Sequence, residues 1–265
     1  MISLNDSRNV VISPRSIAWI TFNDPERLNA LTEEMGKILE SLTPRINKDR
    51  SIRTVIITGA GRAFSAGGNL DIIEARTRKK STVNKKEMIG FYGRFLSLAR
   101  IEVPTIAMIN GHAIGAAFAI ALACDLRTAS SDAKMGVNFV KLGISPGMGA
   151  TFWLPRILGV PQAMELLLTG RTITAEEALR CGAVHHLYTP EILKQETLRL
   201  ANEIAANGPL AVRIAKKGIQ RYREDLQKTL LFESEGQAAC FQTKDLREGI
   251  AAVRAKRPAV FKDRW

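Results

Sequence analysis

The sequence has few cysteines and no long apolar run, and both features limit the classes of protein to which it can belong. Three cysteines, Cys124, Cys181 and Cys240, occur in 265 residues, and their spacing matches neither a metal site nor a disulfide framework. No apolar stretch approaches the roughly 18 residues that a membrane-crossing helix requires. Residues 1–15 also lack an apolar segment typical of a secretory signal. These features predict a reduced, cytoplasmic protein with no membrane span and no metal site.

Acidic residues are scarce relative to basic ones, and this imbalance favours anionic partners. The chain carries 38 Lys and Arg against 26 Asp and Glu, a formal net charge of +12 at pH 7. Such an excess attracts nucleic acid, an acidic membrane surface or a polyphosphorylated cofactor, and charge alone does not choose among them. The sequence has no RNA-recognition motif, glycine-clamp loop or basic tract interleaved with aromatic residues. We therefore rank nucleic acid below a phosphorylated small molecule as the partner.

A glycine-rich turn follows a predicted strand in the first third of the chain. The β-branched run at 54–58 predicts a buried strand, and Gly59 begins the turn after it. The stretch 61–71 reads Gly-Arg-Ala-Phe-Ser-Ala-Gly-Gly-Asn-Leu-Asp, with small residues at 65–68. Such a backbone can approach a ligand closely, and its N–H groups can bind an oxyanion or a phosphate. An isolated turn of this kind is more often a plain connection between a strand and a helix.

A second stretch of similar design follows at 104–119. Residues 106–109 predict another buried strand, and the Asn-Gly pair at 110–111 predicts a turn. Small and apolar residues at 115–125 then predict a buried helix. The start of such a helix has unsatisfied N–H groups and the positive end of the helix dipole. Two turns that each present bare N–H groups predict a two-donor oxyanion hole.

Together these stretches resemble the paired signatures of the crotonase (enoyl-CoA hydratase/isomerase) superfamily. The signatures are Phe-Ser-Ala-Gly-Gly-Asn-Leu at 64–70 and Asn-Gly-His-Ala-Ile-Gly-Ala-Ala at 110–117. The resemblance covers nearly the whole chain, and six motifs in the family's order are far more specific than any one of them. The later motifs lie at 124–129, 142–149, 154–156 and 168–171.

The local sequence patterns and the family resemblance both predict the fold class. Alternating strand and helix patterns in the first part of the chain favour α/β units on a mainly parallel sheet, and the final third carries helical patterns. The resemblance implies a spiral of ββα units followed by helices that pack against neighbouring subunits. We therefore expect an α/β core at 1–195, a C-terminal helical region at 196–265 used in trimerisation, and a homotrimer or a dimer of trimers.

Three further local predictions concern the fold. Thr32 is expected to cap a helix that runs to about Leu42, just before Pro44. The polar, basic stretch 75–84 is expected to be a solvated loop or a frayed helix, although the resemblance also allows a lid over an acyl pocket. Asp125, which follows the buried helix, is expected to be a structural carboxylate bonded to backbone.

The resemblance implies a coenzyme A thioester as substrate, with no tightly bound cofactor and no metal. The thioester oxygen would be polarised by the backbone N–H groups of Gly68 and Ala116, where enolate charge develops. Alanine replaces the family's usual glycine at 116, and the N–H donor is retained. Lys262 matches a basic position that a neighbouring subunit can supply. The full set of positions that match substrate contacts is Arg27, Ala66, Gly67, Asn69, Leu70, Gly115, Phe139 and Lys262.

The sequence departs from the hydratase pattern at its acid–base positions. Hydration of a 2-enoyl thioester is usually assigned to two glutamates, and this chain has Ala119 and Phe139 in their places. Neither side chain can accept a proton. Asp71 and His112 are candidate substitutes because they lie next to the motifs. Helix capping or surface charge for Asp71, and a structural turn position for His112, are the stronger interpretations.

Three classes of function follow from these observations. The first is an enzyme that acts on CoA thioesters as a lyase or an isomerase. The resemblance implies an enoyl-CoA hydratase/isomerase of fatty acid metabolism. The absent glutamates also favour a different enolate reaction, such as decarboxylation or C–C hydrolysis. The second class is a protein that binds a CoA thioester without turnover, and the third is a side role in RNA binding. The identity of the acyl chain stays open.

Overall fold

The centre of the molecule is a six-stranded sheet. The computed structural model describes residues 10–13, 16–220 and 226–260. The first two strands of the sheet pair antiparallel, and all the other neighbours are parallel. In order across the sheet, with strands numbered along the chain, they are β1 (Val10–Ser13), β2 (Ile17–Phe22), β3 (Thr54–Gly59), β5 (Thr105–Ile109), β7 (Leu126–Ser130) and β10 (His186–Tyr188).

A second, smaller sheet contains the short strands. Three of its strands run parallel, and the last pair is antiparallel. In order across this sheet they are β4 (Ala63–Ser65), β6 (His112–Ile114), β8 (Lys134–Gly136) and β9 (Thr172–Thr174).

Helices cover the sheets and form most of the C-terminal third. None of the helices in the described ranges is both long enough and apolar enough to cross a membrane. The helices are α1 (Glu33–Lys48), α2 (Leu70–Arg76), α3 (Ser81–Phe95), α4 (Ala116–Ala123), α5 (Ala150–Leu158), α6 (Val160–Thr169), α7 (Ala175–Arg180), α8 (Pro190–Ala205), α9 (Pro209–Ile219), α10 (Leu226–Cys240) and α11 (Lys244–Arg254).

A repeated unit builds the core. A long strand of the first sheet leads to a short strand of the second sheet and then to a helix, as in β3-β4-α2 and β5-β6-α4. Strands β7 and β8 repeat the same step. This arrangement confirms the predicted α/β fold with a spiral of ββα units. Because the short strands β4 and β6 pair side by side, the loops that follow them are brought together.

Helix α4 lies in the middle of the apolar core. All eight of its residues, Ala116–Ala123, are buried, and none of them is polar. Every residue of β3 and β5 is buried as well, as expected for parallel strands that are covered on both faces. The body of α4 is therefore held by dense packing, which fixes the position of its first N–H groups.

Helix α1 is longer than the sequence predicts. It continues through Pro44 to Lys48, so the expected end near Leu42 is wrong. The helix carries its apolar face one turn further, because Ile46 is buried together with Leu39 and Leu42. Burial of that extra turn offsets the backbone hydrogen bond that a proline removes.

The C-terminal helices are packed onto the core. Helix α8 buries Leu193, Thr197 and Ala201 against the large sheet, and the Thr197 hydroxyl lies 2.7 Å from that of Thr128 in β7. The predicted boundary between 195 and 196 falls inside this helix. The division into two regions and the trimer both stay predictions.

Asp125 ties helix α9 to the sheet. Its Oδ2 accepts hydrogen bonds from the N–H and the hydroxyl of Thr105, each at 2.8 Å. The Lys216 ammonium lies 2.5 Å from the same oxygen, and the Gln220 amide donates to Oδ1 at 2.6 Å. The structure thus places this carboxylate on backbone, as the sequence predicts.

Removing the Asp125 carboxylate is expected to destabilise the fold. Lys216 is buried and would lose its charged partner in Asp125→Ala, so we expect the free energy of unfolding to fall by about 3 kcal/mol. Urea denaturation measures this loss. Asp132→Ala is the matched control, because Asp132 is exposed on the loop after β7 and should change stability by less than about 0.5 kcal/mol. Equal effects of the two variants would contradict the assigned role of Asp125.

Candidate active site

A cavity of about 880 Å3 lies beside the paired loops of the small sheet. One wall comes from the loop after β4 (residues 66–69, the first turn) and from the junction of β6 and α4 (residues 114–116, the second turn). Helices α2, α3, α10 and α11 contribute further walls, together with residues of the segments 27–31 and 138–148. The volume is typical of small-molecule sites, and the lining is mainly apolar with a few polar groups.

The two turns are in direct contact, and glycine makes the contact possible. Gly67 has a φ of +86°, and a Cβ atom placed on it would lie 2.4 Å from the carbonyl oxygen of Ile114. The same position is 3.6 Å from the backbone nitrogen of Ala116. Gly115, which precedes α4, also has a positive φ, of +60°. Side chains at Gly67 and Gly115 would strain the backbone and, at Gly67, separate the turns.

Two residues of these turns, Gly68 and Ala116, line the cavity and have backbone N–H groups that are not used inside the described fold. The N–H groups of their neighbours are used inside the fold, as Gly67 donates to the Ser65 hydroxyl at 3.1 Å and Gly115 to the Gly136 carbonyl at 2.7 Å. Within the described part of the chain, no acceptor is placed on the N–H of Gly68 or of Ala116. Ala116 is also the first residue of α4, where the helix dipole is positive.

Most of the other predicted contact residues also line the cavity. They include Ala66, Leu70, Gly115 and Phe139. The remaining four differ in their positions and contacts. The Asn69 side chain caps α2, accepting from the N–H groups of Asp71 and Ile72. Arg27 lies at the mouth with its side chain 73% exposed. Gly67 lies behind the lining, and Lys262 is outside the described residues.

Comparison with known proteins shows the family. The family model for enoyl-CoA hydratase/isomerase matches residues 13–264. The chain belongs to this family. It is 36% identical over 254 residues to a short-chain-enoyl-CoA hydratase of Clostridium acetobutylicum, covering 94% of this chain and 95% of that protein. The crystal structure of an enoyl-CoA hydratase from Bacillus halodurans has a TM-score of 0.85 and 31% identity, covering 92% of this chain and 99% of that one.

A further relative gives the same family. The chain is 34% identical over 258 residues to a crotonyl-CoA hydratase of Syntrophomonas wolfei, covering 96% of this chain and 97% of that protein. These three proteins match nearly end to end. Among the described residues, no group of three or more His, Cys, Asp or Glu side chains is arranged to hold a metal ion.

Among the described residues, the deep part of the cavity lining contains no carboxylate. Ala119 is completely buried within α4 and does not reach the lining, whereas Phe139 forms part of it. Asp71 is the one acidic residue among the described residues that line the cavity. Its side chain is 84% exposed at the rim, and its Oδ1 accepts from Arg254 at 2.6 Å.

His112 does not reach the cavity. The sequence places it in a turn, but the structure makes it the first residue of β6. Its side chain is exposed, and its Nδ1 accepts a hydrogen bond from the N–H of Lys134 at 3.1 Å. The pairing of β6 with β8 therefore directs this ring away from the site.

Three polar residues of the cavity lining, Arg76, Tyr92 and Gln237, are not predicted by any local pattern in the sequence. Arg76 is buried, so the expectation of a solvated stretch at 75–84 is wrong at this position. The Tyr92 hydroxyl donates to the Gln237 side-chain oxygen at 2.5 Å, and the Gln237 amide donates to the Ser145 carbonyl at 3.0 Å. Burial raises the pKa of Tyr92 well above its usual value, so the phenol keeps its proton.

A buried carboxylate nearby serves the fold. Glu233 of α10 accepts from the N–H of Gly149 at 2.6 Å and from the N–H and hydroxyl of Thr151 at 2.9 and 2.7 Å. It thereby caps the start of α5. Burial raises the pKa of Glu233, and the bonds from Thr151 and Gly149 oppose that shift. Glu233 does not line the cavity.

Direct contact between the turns makes Gly67 sensitive to substitution. Gly67→Ala puts a Cβ against the Ile114 carbonyl at a positive φ, so we expect the free energy of unfolding to fall by at least about 1 kcal/mol. Urea denaturation tests this. Gly90→Ala in α3 is the control, because nothing lies within 4 Å of the added methyl and alanine favours a helix. A Gly67→Ala protein as stable as the control would show that the turns do not touch.

Proposed function

We propose that the protein is an acyl-CoA enzyme that stabilises the enolate of its thioester substrate. The observation that carries this proposal is the pair of N–H groups, from Gly68 and Ala116, that line one cavity with no acceptor on either in the described chain. A thioester oxygen between them would gain two hydrogen bonds. These bonds strengthen as negative charge develops on the oxygen, and they require no rearrangement of the backbone.

The substrate class is supported by the family and by charge. Relatives of this chain are named for short-chain enoyl-CoA and crotonyl-CoA hydration. The net charge of +12 suits a ligand with several phosphate groups, and Arg27 offers an exposed guanidinium at the mouth of the cavity. The mainly apolar lining would hold the acyl chain by burial of its carbon surface.

Hydration or isomerisation requires a group that moves protons, and Asp71 is our candidate for it. It is the acidic residue that the described chain supplies to the lining. Its carboxylate lies at the rim, held by Arg254. A carboxylate in such a position can take a proton from water or from the substrate when the thioester is bound next to it.

Decarboxylation is a second candidate reaction, and the residues at 119 and 139 favour it. Loss of CO2 from a malonyl-type thioester needs no protein base, because the electrons of the broken C–C bond pass into the thioester carbonyl and form the enolate directly. The α-carbon then takes a proton from water. Such a reaction requires the oxyanion hole alone, which fits a site with Ala119 and Phe139 where hydratases use glutamates.

Parallel assays separate the two reactions. Crotonyl-CoA hydration and malonyl-CoA decarboxylation are measured on the purified protein, with calorimetric titration of butyryl-CoA as the binding control. Hydration supports the first reaction, and CO2 release supports the second. Binding without either product would leave a CoA-thioester-binding protein and contradict an enzymatic role in these reactions. Absence of binding would overturn the proposed function itself.

Loss of one donor is expected to reduce turnover strongly. Ala116 is the first residue of α4, a position that accepts proline without disturbing the helix, so Ala116→Pro removes the N–H with little other change. We expect kcat to fall about 100- to 1,000-fold. Ala116→Gly keeps the donor and is the control, with kcat expected within a few-fold of the original protein. Equal rates for the two variants would show that this N–H does not act.

The proton-transfer role of Asp71 has a matched control on the same helix. Asp71→Asn is expected to lower kcat for hydration at least about 100-fold, because the amide cannot accept the proton. Glu74 also pairs with Arg254, at 2.7 Å, but does not line the cavity. Glu74→Gln should therefore leave hydration nearly unchanged. Similar rates for both variants would remove Asp71 from the mechanism, and malonyl-CoA decarboxylation should be insensitive to either change.

A further inference from the structure

Among the charged residues that the described chain contributes to the cavity lining, Arg76 is the buried one. Arg76 is only 5% exposed. The described lining contains three other charged residues, and their side chains are much more exposed: 73% for Arg27, 45% for Arg254 and 84% for Asp71. Burying a guanidinium in a mainly apolar pocket is unfavourable unless charged or polar groups meet it. An acyl chain of carbon and hydrogen alone would give it no such partner.

The protein partners of Arg76 lie outside the cavity. Its Nη1 is 2.7 Å from Glu87 of α3, and its Nη2 is 3.5 Å from Glu33 of α1. Neither glutamate belongs to the lining. A guanidinium has five N–H donors, and the structure places no other acceptor on this one within the described ranges. The other N–H groups of Arg76 can therefore donate to a group inside the cavity.

The two glutamates are also shared with other cations. Glu87 accepts from the Lys79 ammonium at 2.8 Å, and Glu33 accepts from Arg94. Both of these cations are more exposed than Arg76. Neither carboxylate is therefore devoted to Arg76, although Arg94 also lies 3.8 Å from Glu40. An anion entering from the cavity would accept from the N–H donors of Arg76 on which no protein acceptor is placed.

The surroundings of Arg76 suit a planar anion at the end of an acyl chain. Phe241 also lines the cavity, and its ring centre is 6.0 Å from the guanidinium carbon. The apolar side chains of Met88 and Phe91 line the same region from α3. A carboxylate matches the fork of a guanidinium and can accept two parallel hydrogen bonds from it.

We propose that the acyl end of the cavity binds a carboxylate, so that the preferred ligands are CoA thioesters of dicarboxylic acids and Arg76 is the residue that selects them. This inference rests on the proposed function, since it assumes that the cavity holds an acyl-CoA. It adds a class of acyl group to that function. It makes no use of Asp71 or of the reaction that follows binding.

Matched ligands test the selection without turnover. Succinyl-, glutaryl-, adipyl- and suberyl-CoA are titrated calorimetrically against butyryl-, pentanoyl-, hexanoyl- and octanoyl-CoA, which have the same chain lengths and end in a methyl group. We expect at least one dicarboxylic thioester to bind about 10- to 100-fold more tightly than its methyl-ended counterpart. Equal or weaker binding across the whole series would overturn the inference while leaving the proposed function intact. No binding of any thioester would overturn both.

Variants assign the preference to Arg76. Arg76→Gln should abolish the preference for the dicarboxylic thioester and leave the affinity for the methyl-ended one within a few-fold. Lys79→Gln is the control, because it removes the other cation on Glu87 without touching the cavity, and it should keep the preference. A preference that survives in Arg76→Gln would overturn the assignment.

Arg76 also links α2 to α1 and α3 through its ion pairs with Glu33 and Glu87. A second variant therefore separates a loss of ligand preference from a loss of folding. Arg76→Lys keeps the positive charge and can still pair with Glu87, but it lacks the fork that binds a carboxylate with two hydrogen bonds. We expect it to fold, to bind pentanoyl-CoA as the original protein does, and to lose most of the preference. A lysine variant with the full preference would contradict recognition by a guanidinium.

Discussion

The site depends on the close approach of two backbone turns. Gly67 lies against the Ile114 carbonyl at a distance that leaves no room for a Cβ atom, and this contact sets the first turn beside the start of α4. Backbone donors cannot be moved by a rotamer change, so their relative position is as rigid as the sheets that hold them. A pair of fixed donors needs no reorganisation when charge develops on a substrate oxygen.

The architecture explains why that approach occurs. Strands β4 and β6 are parallel neighbours in the small sheet, so the loops after them emerge on the same edge. The buried helix α4 then holds the second turn from behind, since all of its residues are packed in the core. Long-range packing thus converts two local glycine-rich sequences into one site. Helices α3 and α10, which come from distant parts of the chain, also contribute to the cavity lining.

Local patterns were enough to predict the turns, the buried helix and the α/β fold, because each of these is encoded by neighbouring residues. Helix α1 continued past Pro44 because burial of Ile46 outweighs a local helix breaker. The local sequence predicts a surface position for Arg76, because its partners, Glu33 and Glu87, are brought to it only by tertiary packing. The hydrogen bond between Tyr92 and Gln237 joins residues that are far apart in the sequence, so no local periodicity predicts it.

The proposed function assigns the thioester oxygen to the backbone N–H groups of Gly68 and Ala116, and the side chains at 119 and 139 carry no acid. Polarisation of the thioester carbonyl is therefore the central claim. Infrared difference spectroscopy of butyryl-CoA labelled with 13C at that carbonyl tests it most directly, because the measurement requires no turnover. Two hydrogen bonds from Gly68 and Ala116 predict a carbonyl stretch at lower frequency in the complex than in water. A bound thioester with an unchanged or higher frequency would contradict the account.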